Sequence, residues 1–227
     1  MRDHRKALPR AGDAPVSLRG RAAEDASPTQ TVAELRDSAA GCRACDLWRR
    51  ATQTVFGEGP APADVMLVGE QPGHEEDLAG RPFVGPAGRL LATALEEAGL
   101  DRRRVYVTNV VKHFSWEPRG KLRIHKKPTI WQVRACRPWL MSELDVVRAR
   151  AIVCLGATAA QALLGRGVRV TQSRGQAIPS ALAPYAFATL HPSAVLRAPD
   201  EAARRAAMER LVSDLATVAR LLAGGPR

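Results

Sequence analysis

The chain has 227 residues, 45% hydrophobic and 25% charged, with a formal net charge of +11, an ordinary globular composition on a length sufficient for one good core. No apolar run approaches the roughly 20 residues of a membrane helix, and no hydrophobic secretory segment follows the opening MRDHRKALPR. A soluble, cytoplasmic protein without a membrane partner is expected.

Residues 1–28 mix Arg, Ala, Pro, Gly and acids without periodicity and read as a mobile N-terminal extension, which leaves 29–227 as one domain. TVAELRDSAAGCRACDLW, from Thr31, predicts a short helix capped by Thr29 or Thr31 that delivers Cys42 and Cys45 onto a turn. DVMLVGE (64–70) has the unbroken apolar run of a buried parallel strand, and GPAGRLLATALEEAGL (85–100) has helical spacing. VYVTNVV (105–111) predicts the second strand, whereas 112–128 carries too many breakers for a regular element. A helix over 129–147 follows, opened by Pro128 and Thr129, then a third strand over 149–156 and a helix over ATAAQALLG. RVTQSRGQAI reads as irregular or a hairpin, YAFATLHPS (185–193) as the fourth strand, and 200–223 as a long final helix. This alternation implies an α/β fold, a three-layer α/β/α sandwich on a central, mainly parallel four-stranded sheet.

The positive charge is concentrated. Between Arg102 and Arg134 ten Lys or Arg residues face one acid, Glu117, interleaved with Tyr106, Phe114, Trp116 and Trp131. Counterion release rewards such cations on phosphates, and aromatic rings stack on bases or belong to the core. Within GKLRIHKKPT (120–129) one histidine, His125, stands among Lys121, Arg123, Lys126 and Lys127. Permanent cations already suffice to grip an anion, so a mostly neutral imidazole there points to chemistry.

Open parallel sheets bind ligands beyond the carboxyl ends of their strands. The predicted strand ends read GEQPG, TNVVKHF, CLGATA and LHPSAVLR, so Glu70, Asn109 and His191 are expected to converge on one crevice. Cys42 and Cys45 form a CxxC, with Cys136 and Cys154 on a helix and its following strand. Disulfides are disfavoured in an intracellular chain; four thiolates suit tetrahedral zinc or a [4Fe-4S] cluster, spacing does not separate these, and unrelated thiols remain the alternative.

GEQPGHEEDLAGRPFVGPAGRLL, VTNVVKHFSWEPRGKLRIHKKP, CRPWL, IVCLGATA and HPSAVLR, in that order, resemble the uracil-DNA glycosylase superfamily over residues 32–222. The likeness is to its iron-sulfur branch, close to family-four uracil-DNA glycosylases. Gln71 and the loop ending RIH make it similar to the UdgX type. The resemblance implies that Phe83 stacks on uracil and Asn109 reads its edge. Gly69, Gln71 and Gly73 share the charge of the departing base, and Asp77 completes the uracil-binding set by ordering that loop. His191 would donate to uracil O2, Glu70 would stabilise the sugar cation, and His125 would attack C1′ and hold the DNA covalently after a single turnover. Lys121, Arg123, Lys126 and Lys127 would contact DNA, with Leu196 and Arg197 wedged into the gap left by the flipped base. Cys42, Cys45, Cys136 and Cys154 would hold [4Fe-4S] rather than zinc, in a monomer acting on uracil-containing, preferably single-stranded DNA. Three departures stand out: Leu122 where the family usually has arginine, His74 where an acid is common, and the freely varying stretch from Ser115 to Arg119. The rival readings are a conventional multiple-turnover glycosylase and a non-enzymatic cysteine-metal nucleic-acid-binding module.

Overall fold

Helix α1 (Val32–Ala40) begins where the sequence places a cap: Thr31 Oγ1 accepts from Glu34 N, and the Glu34 carboxylate accepts from Thr31 N at 2.6 Å. The structure, a computed structural model, describes residues 30–224; the extension read at 1–28 lies outside them. Along the chain follow a 3-10 turn (Asp46–Arg49), β1 (Val65–Gly69), α2 (His74–Ala79), α3 (Pro86–Glu97) and β2 (Val105–Asn109). Then come β3 (Trp116–Arg119), β4 (Leu122–His125), α4 (Ile130–Val147), β5 (Ala151–Leu155) and α5 (Ala157–Leu164). The described chain finishes with the one-turn α6 (Val170–Ser173), β6 (Tyr185–Thr189), α7 (Pro192–Leu196) and α8 (Glu201–Gly224).

The central sheet runs β2-β1-β5-β6, all parallel. Its strands read as continuous apolar runs because helices cover both faces. Met66, Val68, Tyr106, Ile152 and Ala188 point to the side of α1, α4 and α5, while Val65, Leu67, Val107, Val153 and Phe187 meet α3 and α8. Full burial of a Leu67 or a Val153 contributes roughly 1.5–3 kcal/mol. The three-layer sandwich expected from the alternation is the observed architecture. Among the described residues no helix is long and apolar enough to cross a membrane.

Three segments differ from the sequence reading. The stretch from Trp116 to His125, read as irregular, is an antiparallel hairpin in which Trp116 pairs with His125 and Arg119 with Leu122. Gly120, at φ +61°, supplies the left-handed turn residue that a hairpin needs. Residues 169–178 form α6 and a single parallel bridge from Arg174 to Ala188, and HPS opens α7 instead of ending the fourth strand.

Below the end of β2 a lysine and a glutamate are buried together. Lys112 Nζ is in a close ion pair with Glu143 Oε2 and donates to Thr108 Oγ1 and to the Asn109 carbonyl, both at 2.7 Å. Glu143 also accepts from Tyr106 OH (2.9 Å) and Gly57 N (3.0 Å). Such a charge pair is tolerated in a core because nearly every lone pair and proton has a partner. Removing one member leaves the other desolvated. Glu143→Ala is therefore expected to lower stability by about 3–5 kcal/mol in denaturant unfolding; a loss under about 1 kcal/mol would show that water reaches Lys112.

Candidate active site

The chain crosses from one side of the sheet to the other between β1 and β5, and there the crevice opens. It holds a cavity of about 410 Å³ lined by Gln71, Gly73, Phe83, Asn109, His125, His191, Leu196 and Arg197, together with His74, Glu75 and Glu76. Its focus is Gly69. A Cβ there would overlap Asn109 Oδ1 and lie 2.8 Å from Phe83 Cζ and 3.5 Å from His191 Nε2. Three residues named from separate motifs thus meet over a backbone that has no side chain to keep them apart.

Phe83 reaches this point in a left-handed conformation, φ +57°, which costs a non-glycine residue of order 1–3 kcal/mol unless the surroundings impose it. They do so from two directions. Gly88 lets α3 press against the Phe83 carbonyl, where any Cβ would collide. Glu76, buried beneath, accepts from Gly73 N (3.1 Å) and Gly85 N (2.9 Å), tying the loop after β1 to the loop bearing Phe83. Sequence reasoning missed Glu76, although its position three residues after Gly73 is the capping-box spacing.

His191 caps α7: Ser193 N donates to its Nδ1 at 3.2 Å, with Ser193 Oγ at 2.8 Å. A backbone N–H can only donate, so Nδ1 accepts and the proton of the neutral ring sits on Nε2, which faces the cavity. Burial, reinforced by Arg197 and His125, pushes its pKa down from 6.5 to about 4. At neutral pH the ring is an uncharged N–H donor.

The hairpin reaches the cavity from the other side, clamped at its base and flank. Gln71 Nε2 donates to Ser115 O (2.9 Å) and Lys126 O (3.3 Å), and Ser115 N donates to Gln71 Oε1 (3.3 Å). Arg123 turns inward, its side chain 17% exposed, and donates to Asp77 Oδ2 at 2.6 Å and to His74 Nδ1 at 2.9 Å. Asp77 is fully buried and also accepts from Thr52 N at 2.9 Å and Thr52 Oγ1 at 2.6 Å. Asp77 does not line the cavity; expected as the organiser of the loop after β1, it receives Thr52 and the Arg123 guanidinium. Leu122, 65% exposed near the hairpin tip, lies outside this anchor.

His125 ends β4 with its side chain 51% exposed and Nε2 3.7 Å from Glu70 Oε1. Burial lowers its pKa, Glu70 opposes and Arg197 adds to the lowering. Glu70 is held from behind by the Thr158 hydroxyl at the start of α5. Lys121 and Lys127 are exposed, and Lys126 pairs with Glu117 at 3.2 Å.

Cys136 and Cys154 belong to one buried cluster, against which Cys42 and Cys45 pack. Among the described residues no three His, Cys, Asp or Glu side chains form a metal-holding group. Cys42, Cys45 and Cys136 nevertheless share one neighbourhood: burial, opposed by Lys112 and reinforced by the other two thiols, raises Cys136 to about 12. Trp139 Nε1 donates to Cys42 Sγ and Lys112 N to Cys136 Sγ, each at 3.2 Å. Cys154, on β5, is raised to about 12 by burial alone. His113, which the sequence reading passed over, lies buried beside Lys112 with Nε2 3.0 Å from Thr54 Oγ1.

The profile of the Uracil DNA glycosylase superfamily matches residues 56–216. A Type-4 uracil-DNA glycosylase from Thermotoga maritima is 38% identical over 169 residues, 74% of this chain and 84% of that protein. One from Pyrobaculum aerophilum is 36% identical over 173 residues, 73% and 85% of the two chains. One from Archaeoglobus fulgidus is 44% identical over 120 residues, 53% and 57%.

The cavity imidazole has a measurable signature. NMR titration is expected to find His191 as the Nε2–H tautomer at pH 7 with a midpoint near 4; a midpoint at or above the ordinary value would overturn that environment. The sign for stability follows. The unfolded chain binds this proton near 6.5 and the folded chain near 4, so the stabilisation is whole above pH 6.5 and is lost as pH falls through 4.

Proposed function

The chain belongs to the uracil-DNA glycosylase superfamily, and we propose that it excises uracil from single-stranded DNA in repair and retains the abasic strand covalently on His125, as the UdgX type does. The observation that carries this reading is the 3.7 Å approach of His125 Nε2 to Glu70 Oε1 at the edge of the cavity. A nucleophile and a carboxylate stand together where the sugar of a base lodged against Phe83 and Asn109 would lie.

Uracil enters the cavity flipped from its strand, its ring against Phe83 and its amide edge against Asn109. As the C1′–N1 bond breaks, the bonding pair leaves with uracil, whose O2 takes a hydrogen bond from His191 Nε2–H. A neutral donor suits this step, since it stabilises the developing anion without surrendering a proton. The sugar left behind is cationic at C1′, and the Glu70 carboxylate offsets that charge. A lone pair of the neutral His125 ring then forms the N–C1′ bond. The other ring nitrogen loses its proton to solvent, and uracil gains one. The depressed pKa of His125 keeps that lone pair available at neutral pH. An imidazole bonded through nitrogen is a poor leaving group, so the adduct persists where a glycosyl ester would hydrolyse.

Cys42, Cys45 and Cys136 fit an iron-sulfur cluster: two of the sulfurs already accept N–H donors, as thiolates do. The fourth ligand we assign to Cys154, which is buried in the same hydrophobic cluster as Cys136, the one against which Cys42 and Cys45 pack. An iron-sulfur cluster so held would lock the turn after α1, helix α4 and strand β5 together.

His125→Ser is expected to abolish the slow band on a denaturing gel with uracil-containing oligonucleotide while water-mediated uracil release continues. A variant that still shifts rules out His125 as the attachment point, and a wild type that turns over repeatedly without a band rules out the adduct. For the cluster, anaerobically purified protein is expected to hold about four irons per chain. That iron would be lost in Cys136→Ala and in Cys154→Ala; iron retained in either variant overturns the four-cysteine site.

A further inference from the structure

Three of the four tryptophans lie at the surface, and each has a guanidinium against its ring. Arg43 and Arg49 stand 4.7 and 5.3 Å from the Trp48 centroid, Arg123 5.5 Å from Trp116, and Arg134 5.6 Å from Trp131. Trp131 is 73% exposed on the first turn of α4. An apolar ring of that size left in water has no use to the core.

The three rings are linked by the backbone between them. Trp116 Nε1 donates to the Arg50 carbonyl at 3.0 Å, joining the hairpin to the end of the 3-10 turn. At the other end of that turn Gln132 Nε2 donates to Asp46 Oδ1 at 2.9 Å, joining it to α4. The line therefore runs Trp116, Trp48, Trp131. It starts at the register partner of His125, since Trp116 and His125 face each other across β3 and β4.

We infer that this line is a base-stacking track for the single strand flanking the target nucleotide, an inference that rests on the cleft being a site for single-stranded uracil DNA. Aromatic faces accept any base, and the arginines beside Trp48 and Trp131 answer the phosphates, which is how single strands are gripped without sequence preference. The track leads the strand away from the hairpin toward α4, so affinity grows with strand length on that side of the lesion.

The test measures binding of uracil-free oligothymidylate by fluorescence anisotropy, using a strand long enough to reach Trp131, one too short to do so, and an abasic strand of the long length. The wild type is expected to prefer the long thymidylate over both others by about tenfold. Trp131→Ala and Trp48→Ala are expected to erase that preference with unaltered melting temperature. Equal affinity for the abasic and thymidylate strands reduces the patch to a polyanion site and overturns the proposal. So does an unchanged preference in both variants. Uracil release from the short strand reports the cavity separately: if wild-type protein fails there while the stacking preference holds, the glycosylase reading falls and the track stands.

Discussion

One buried carboxylate decides where the hairpin imidazole can be. Asp77 has no contact with solvent, yet it is surrounded by donors: Thr52 contributes a backbone N–H and a hydroxyl, and Arg123 a guanidinium. A charge in that position is stable only while all these partners stay in place. The segment after α1, the loop after β1 and the hairpin are thereby pinned to one point. His125 sits two residues from the pinned arginine on the same strand, and its approach to Glu70 follows from that anchor. His74 joins the arrangement by offering Nδ1 to the same arginine. Its departure from the acidic residue expected there therefore supports the anchor through a neutral acceptor.

A second buried pair acts on the opposite wall. Lys112 holds the backbone carbonyl of Asn109 through its ammonium, while its own N–H reaches Cys136 Sγ. One residue thus links the side chain proposed to read the base with the corner where the cysteines gather. The two walls are fixed by different charge networks, and Gly69 is the common floor between them.

Much of this was visible in the sequence, for reasons that differ from residue to residue. Continuous apolar runs named the four strands because a parallel sheet buries both faces, and the topology then carried Asn109 and His191 to the same end as Glu70 without further information. The hairpin was hidden because Gly120 and Pro118 look like breakers when tertiary support is not counted. The partner of Arg123 was hidden for a related reason: a basic loop offers no sign of which cation will meet a buried carboxylate. The four cysteines were grouped by residue type, and the fold brings Cys136 and Cys154 into one buried cluster with Cys42 and Cys45 packed against it. His113 escaped notice because neither a lone histidine nor the sequence around it announces that one ring nitrogen will be committed to a threonine.

The residues on either side of the hairpin, Ser115 and Lys126, are joined by their own backbone hydrogen bond at 2.9 Å, and Gln71 grips both. The loop of residues 116–125 is consequently closed at its neck, and the path from β2 to α4 is complete beneath it. The sheet takes no buried core side chain from it, although His125 lines the cavity and Arg123 partners the buried Asp77. The proposed fate of the sugar is thus carried by an element outside the core, one that a lineage could edit while inheriting the sheet intact so long as a partner for Asp77 is kept.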